Sequence, residues 1–141
     1  MSKFSDYLET GIIQATLRGI ALPTPSNIFI ALFTADPTDA NITANELSTA
    51  AVPAYARINA AGGGAIATGW AAPANGVTSN ANVITFQANN GAAAVTITHI
   101  GIYDALTVGN LLYHSPLVTP KTLQPGDVLS FSVGSITITI T

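Results

Sequence analysis

The polar residues with catalytic potential gather in one stretch of this chain. Residues 98–117, "THIGIYDALTVGNLLYHSPL", hold both histidines, His99 and His114, together with Tyr103, Tyr113 and Asp104. Two imidazoles and a carboxylate are the raw material of a metal site or of acid–base catalysis, provided that they converge. If 98–104 and 111–117 pair as a hairpin about residues 105–110, His99 lies opposite position 116 and His114 opposite 101. That reading sets the imidazoles about four residue steps apart along the ladder, too far to share one metal. His99 and His114 are therefore expected to be strand histidines with local hydrogen bonds. Asp104 is expected to open the turn by bonding its own backbone. The hairpin further predicts Ile100, Ile102, Leu111 and Leu112 packed into the core and Tyr103 paired across the strands with Tyr113. Gly109 or Asn110 should take a positive φ.

The remaining candidates are weaker. Asp36 and Asp39 in "DPTDA", with Glu46 further on, suggest a cation site, but calcium needs about six to eight oxygens and a loop that interleaves acids with a glycine. Asp36-Pro37 is better read as a turn and Asp39 as a local cap. "AGGGA" (61–65) lacks the Gly-Lys-Ser/Thr ending and the following helix of a phosphate cradle. No Gly-x-Ser-x-Gly elbow occurs, and the absence of cysteine removes thiol chemistry and thiolate metal sites. Trp70 and Tyr55 have rings suited to stacking on a sugar, yet one Trp beside "AAP" reads as a core or interface anchor. The expectation is no catalytic residue, no cofactor-binding residue and no metal ligand set. The chain is not read as an enzyme.

The elements that would position these residues are mostly strands. Residues 2–18 carry the one helical pattern, with Phe4, Leu8, Ile12 and Ala15 on one face and Tyr7 and Ile13 flanking it. Ser2 or Ser5 can cap it, Asp6 and Glu9 suit its positive end, and Gly19 stops it. "IFIALF" (28–33) is an apolar run typical of a strand covered on both faces. Residues 34–53 have no sustained period and form a long loop, expected to be functional or pinned by contacts. Strands are expected at 54–61, 82–87, 94–104, 111–118 and 128–141, with turns at Gly62–Gly64, Asn75-Gly76 and 89–91 and a loop at 119–127. In the last strand the apolar residues change parity at Gly134-Ser135, which demands a bulge or kink. One N-terminal helix with about six to eight short strands describes a mainly β, β-sandwich or jelly-roll-like fold. The chain reads as a single domain over 1–141, with the sandwich at 28–141.

Composition excludes whole classes. Charged residues are 8% of the 141, against a usual share near ~25%. Lys3, Arg18, Arg57 and Lys121 are the only cationic side chains besides the histidines, and they are scattered, so a nucleic-acid partner is not expected. No run approaches the ~18 apolar residues of a membrane span. The N-terminus lacks an apolar signal-peptide core, so synthesis in a cytoplasm is expected. Thr and Asn must supply most of the polar surface. So few charges give little repulsion between copies, which suits a protein covered by neighbours in an assembly.

Several phrases resemble a known family in order along nearly the whole chain: "FSDYLE", "IFIALFTADPTD", "YAR", "THIGIYDA…GNLLYHSPL" and "GDVLSFSVGSITITI". They are similar to small structural proteins of tailed bacteriophages, often labelled tail fibre or minor tail proteins. "ALFTADPTD" and "HIGIYDA…GNLLYH" carry most of the likeness, and the second is similar to β-domains of phage fibre attachment proteins. Residues 40–53 and the "AGGG" region depart furthest, which marks them as specificity loops. The resemblance implies a virion part with no catalytic residues to carry over. The leading expectation is a capsid decoration or cement protein, self-associated (trimers being one form) and bound to the major capsid protein. The alternative is a tail fibre or baseplate component bound to tail proteins. A carbohydrate-binding β-sandwich is the remote third reading.

Overall fold

A computed structural model of the chain describes residues 3–140. Ser2, one of the two expected caps, and the terminal Thr141 lie outside the described residues.

The chain is mainly β with one N-terminal helix. Its elements are β1 (Lys3–Phe4), α1 (Asp6–Leu17), β2 (Phe29–Phe33), β3 (Ile58–Asn59), β4 (Val77–Ser79), β5 (Ile84–Thr85), β6 (Val95–Tyr103), β7 (Leu111–Leu123), β8 (Ser130–Phe131) and β9 (Thr137–Thr139). Short 3-10 turns occur at Thr43–Asn45 and Ile66–Gly69. An antiparallel sheet has the order β1-β7-β6-β2-β3. Two antiparallel ladders, β4-β9 and β5-β8, accompany it.

The centre of the sheet explains the unbroken apolar run of β2. Alternation sends Ile30 and Leu32 to one face, where they join Ile100 and Ile102 of β6, Ile84 and Ile138 of the small ladders and Ile136 just before β9. Ala31 and Phe33 go to the other face with Tyr103 and Leu111. Both faces are covered, so neither can be polar. This is the sandwich-like layering that the sequence predicts.

Several boundaries differ from expectation. The strand expected at 54–61 shortens to β3, because the chain leaves the edge of the sheet at Ala60. The loop expected at 119–127 begins later, since β7 runs to Leu123 through Pro116 and Pro120. Proline is tolerated there because β1 pairs only with Tyr113 and His114, leaving the rest of β7 as an edge. The expected kink at Gly134 is a turn with φ +78° that passes the chain from the β5 ladder to the β4 ladder. Val133 is 58% exposed rather than inward-facing.

Helix α1 is fixed at its start. Ser5 caps it, its hydroxyl accepting from the Leu8 amide at 3.2 Å and donating to the Leu111 carbonyl. The Ser5 amide donates to the Leu112 carbonyl at 3.1 Å and the Asp6 amide to the Asp39 carbonyl at 2.9 Å. Gly11 sits where a Cβ would stand 2.4 Å from Leu22 Cδ1, so its lack of a side chain lets residue 22 cross the helix. The expected face is buried only in its first half. Phe4 belongs to β1, Leu8 is the one buried residue of the helix, and Ala15 is exposed.

Two asparagines are exceptions to the expectation that Thr and Asn supply most of the polar surface. Asn80 and Asn89 are fully buried. Asn80 donates to the Asn82 and Ser132 carbonyls and accepts from the Ile136 amide, each at 2.8 Å. Asn89 donates to the Ala93 and Leu123 carbonyls and accepts from Gly91. A primary amide satisfies three backbone groups where irregular segments meet and leave their ladders.

Candidate functional site

Three features could serve a function: a His/Asp cluster, a buried ion pair beneath the β6–β7 turn, and an exposed apolar face around α1.

The two histidines come together, contrary to expectation. His99 pairs with Pro116 and His114 with Gly101, as predicted. Because Gly101 is the next same-face position after His99, however, the offset is two residues rather than four, and both rings project on one side of the sheet. Phe33 lies opposite His99, so the chain leaving β2 carries Asp36 over both rings. His99 Nε2 is 3.8 Å and His114 Nδ1 3.3 Å from the Asp36 carboxylate, and His114 Nε2 is 2.8 Å from Asp39 Oδ1. His114 is buried; the two carboxylates are about half exposed.

Asp36 does form the expected turn, accepting from the Thr38 amide at 2.9 Å. That bond is the main reason its carboxyl is held below the ordinary range; burial opposes it, and electrostatic attraction to the neighbouring His99, His114 and Lys3 assists. Asp39 is not a local cap: its side chain reaches His114 of β7. Burial lowers the His99 pKa against the pull of Asp36.

Glu46 takes no part in that cluster. It binds Arg57 through both oxygens, from Nε at 2.8 Å and Nη2 at 2.7 Å, and accepts from the Tyr55 hydroxyl at 2.9 Å. The guanidinium lies 3.5 Å over the Tyr103 ring, and its Nη1 donates to the carbonyls of Ala105 (2.9 Å) and Val108 (2.7 Å). Burial alone would lower the Arg57 pKa, but the bonds and charge of Glu46 outweigh it and the net shift is upward. Arg57 thus fastens the 104–110 turn to the body of the protein. Sequence reasoning missed this role, and the Tyr-Ala-Arg phrase was its only signal.

Asp104 behaves as expected, accepting from the Asn110 amide and side chain, each at 2.7 Å. Gly109 has φ +70°, but its left-handed companion is Val108 (φ +57°), not Asn110. The predicted Tyr103–Tyr113 pair does not form. The regular register sets Tyr113 opposite Ile102, and a shift after it sets Tyr103 opposite Leu111, so the two rings lie on opposite faces. Tyr113 packs edge-on against Phe4, and Tyr103 stacks on Phe33. Tyr55 is inside, its hydroxyl also accepting from the Leu32 amide at 3.0 Å, and Trp70 packs against the core. The Tyr55 ring is thus not presented as a sugar platform.

The third feature is apolar. Ile13 is 55% and Leu17 79% exposed on the side of α1 away from Leu8, with Ile20 just beyond. A groove of about 280 Å³ adjoins the helix, lined by Tyr7, Leu22, Pro23, Pro25 and Trp70 among others. No helix of the described residues is long and apolar enough to cross a membrane. An exposed apolar patch of this kind marks an interaction surface.

Comparison with known families gives a match to the model for podophage GP4 fiber I protein gp80 over residues 3–139. No curated protein matches the chain.

Proposed function

This chain belongs to the family of podophage GP4 fiber I protein gp80, and from that premise we propose that it is a tail-fibre component that self-associates and joins other tail proteins. A member of a phage fibre family is a structural, non-enzymatic part of the virion. The finer reading concerns how it is used. The single observation that carries it is the apolar side of α1 left uncovered while the same helix is fixed by its N-terminus. Residues 1–141 would act as one domain, made in the host cytoplasm and offering this face to copies of itself, in threes or another closed number, and to neighbouring tail proteins.

The family favours the tail over the capsid shell, so decoration of the major capsid protein is the less supported placement. Copy number in purified virions, measured by quantitative mass spectrometry against the major capsid protein, tests the choice. A small number of copies per particle is expected. A ratio near one to one with the shell protein would restore decoration, and absence from the particle would overturn both placements.

A further inference from the structure

The His/Asp cluster has a feature that its ion pairs leave unexplained. The His114 side chain is 1% exposed. Its Nε2 faces Asp39, and an Nε2–H donated to that carboxylate leaves Nδ1 as a buried lone pair. Nδ1 has no hydrogen-bond partner among the described residues, although Asp36 Oδ1 lies only 3.3 Å away. The oxygen is near enough but not aligned with the nitrogen.

Such a pairing, close and off-axis, is what two ligands of one ion adopt. With tetrahedral bonds of ~2.0–2.1 Å, donor atoms stand ~3.4 Å apart and neither lies on the other's lone-pair axis. His99 supplies a third donor. Its Nδ1 is engaged by Thr98 Oγ1 at 2.9 Å, which leaves Nε2 directed to Asp36 at 3.8 Å. Among the described residues no three such side chains stand ready to hold an ion. The 3.8 Å gap must close for an ion to be held, and the Asp36 side chain, 45% exposed, has room to turn.

We propose that His114 Nδ1, His99 Nε2 and the Asp36 carboxylate take up a divalent transition-metal ion. Two imidazoles and one carboxylate fit Zn²⁺ rather than calcium or magnesium, which prefer oxygen. Asp39 would orient His114 from its far nitrogen, the carboxylate–histidine–metal arrangement. Lys3, whose charge reaches both Asp36 and His99, opposes the cation, and the two carboxylates offset it. The bound ion would tie the loop after β2 to β6 and β7. Through the Asp39 carbonyl, bonded by the Asp6 amide, it would also steady the start of α1.

The test is titration of the tag-free full chain with Zn²⁺ near neutral pH by calorimetry, followed by thermal melts. Co²⁺ absorption reports the geometry. One ion per chain, a raised thermal midpoint and tetrahedral Co²⁺ bands are expected. His99→Gln and Asp36→Asn alter partly exposed side chains, so their metal-free midpoints should stay near the parent's while affinity falls at least tenfold. Asp39→Asn should weaken uptake by roughly 10–100-fold. No saturable uptake, or uptake unchanged by His99→Gln and Asp36→Asn (an adventitious ion only), overturns the site.

Discussion

Arg57 shows how one charge organises a fold with few of them. Its side chain is 6% exposed and that of Glu46 15%, so each has lost most of its hydration and depends on the other. Glu46→Ala leaves a buried guanidinium without its anion. Breaking such a pair costs about 3–5 kcal/mol, and the partial exposure of Glu46 puts the expectation near ~3 kcal/mol by urea denaturation. The same environment makes the fold sensitive to alkali. Burial, then the Glu46 charge, pushes the Tyr103 hydroxyl from 10.0 up to about 12 despite Arg57, and burial raises Tyr55 further. The folded chain therefore keeps protons that the unfolded chain releases. The tyrosine contribution to stability should be flat below pH 10.0 and fall as pH rises toward about 12. Tyr103→Phe should show a shallower loss in urea melts across that window. An unchanged slope would mean that Tyr103 ionises as freely in the folded chain as in the unfolded one, and a steeper one that it ionises more readily.

The β6–β7 hairpin is the element that the sequence described best and the one in which its detail failed. Alternating β-branched residues set the strands, and Asp104, Gly109 and Asn110 set the turn. The register shift after Ile102 could not be read there, because a bulge leaves the composition of both strands unchanged. It moves the partner of Tyr103 from Leu112 to Leu111, whereas Tyr113 already stands opposite Ile102 before it. At Gly109 an added Cβ would meet Asp104 Oδ1 at 2.5 Å and Ala105 Cβ at 2.6 Å, with φ already at +70°. Gly109→Ala should therefore cost more than the ~1–2 kcal/mol of left-handed backbone alone, read as a lower denaturation midpoint. A midpoint equal to the parent's would show that the turn is free to rearrange.

For the whole molecule, the uncovered side of α1 predicts behaviour that folding energetics would not reveal. Ile13 and Leu17 face away from the sheet, so Ile13→Asp with Leu17→Asp should leave the thermal midpoint within a few degrees of the parent's. The same pair of changes should reduce self-association in analytical ultracentrifugation, because charge on a buried contact is strongly disfavoured. Unaltered association would move the contact surface elsewhere, to the groove beside the helix or the 104–110 tip. Here too the sequence was only partly legible. Periodicity identified a helix and Gly19 its end, but it left open whether the apolar face packs on the chain's own sheet or on a neighbour. The helix in fact turns Leu8 inward and Ile13 and Leu17 outward.

Features under local control were legible without coordinates. The β-rich content, the helix with its Ser5 cap and Gly19 stop, the covered β2, the kink at Gly134, the Asn75-Gly76 turn and the resemblance to tailed-phage structural proteins were all readable in the sequence. These follow from side-chain period and backbone preference, which act over a few residues. Tertiary structure alone decided which distant residues meet. Asp36 lies over His99 and His114, Glu46 binds Arg57, and Asn80 and Asn89 sit inside. Each depends on where a loop without periodicity returns to the sheet, and that is set by packing of the whole core rather than by any local run of residues.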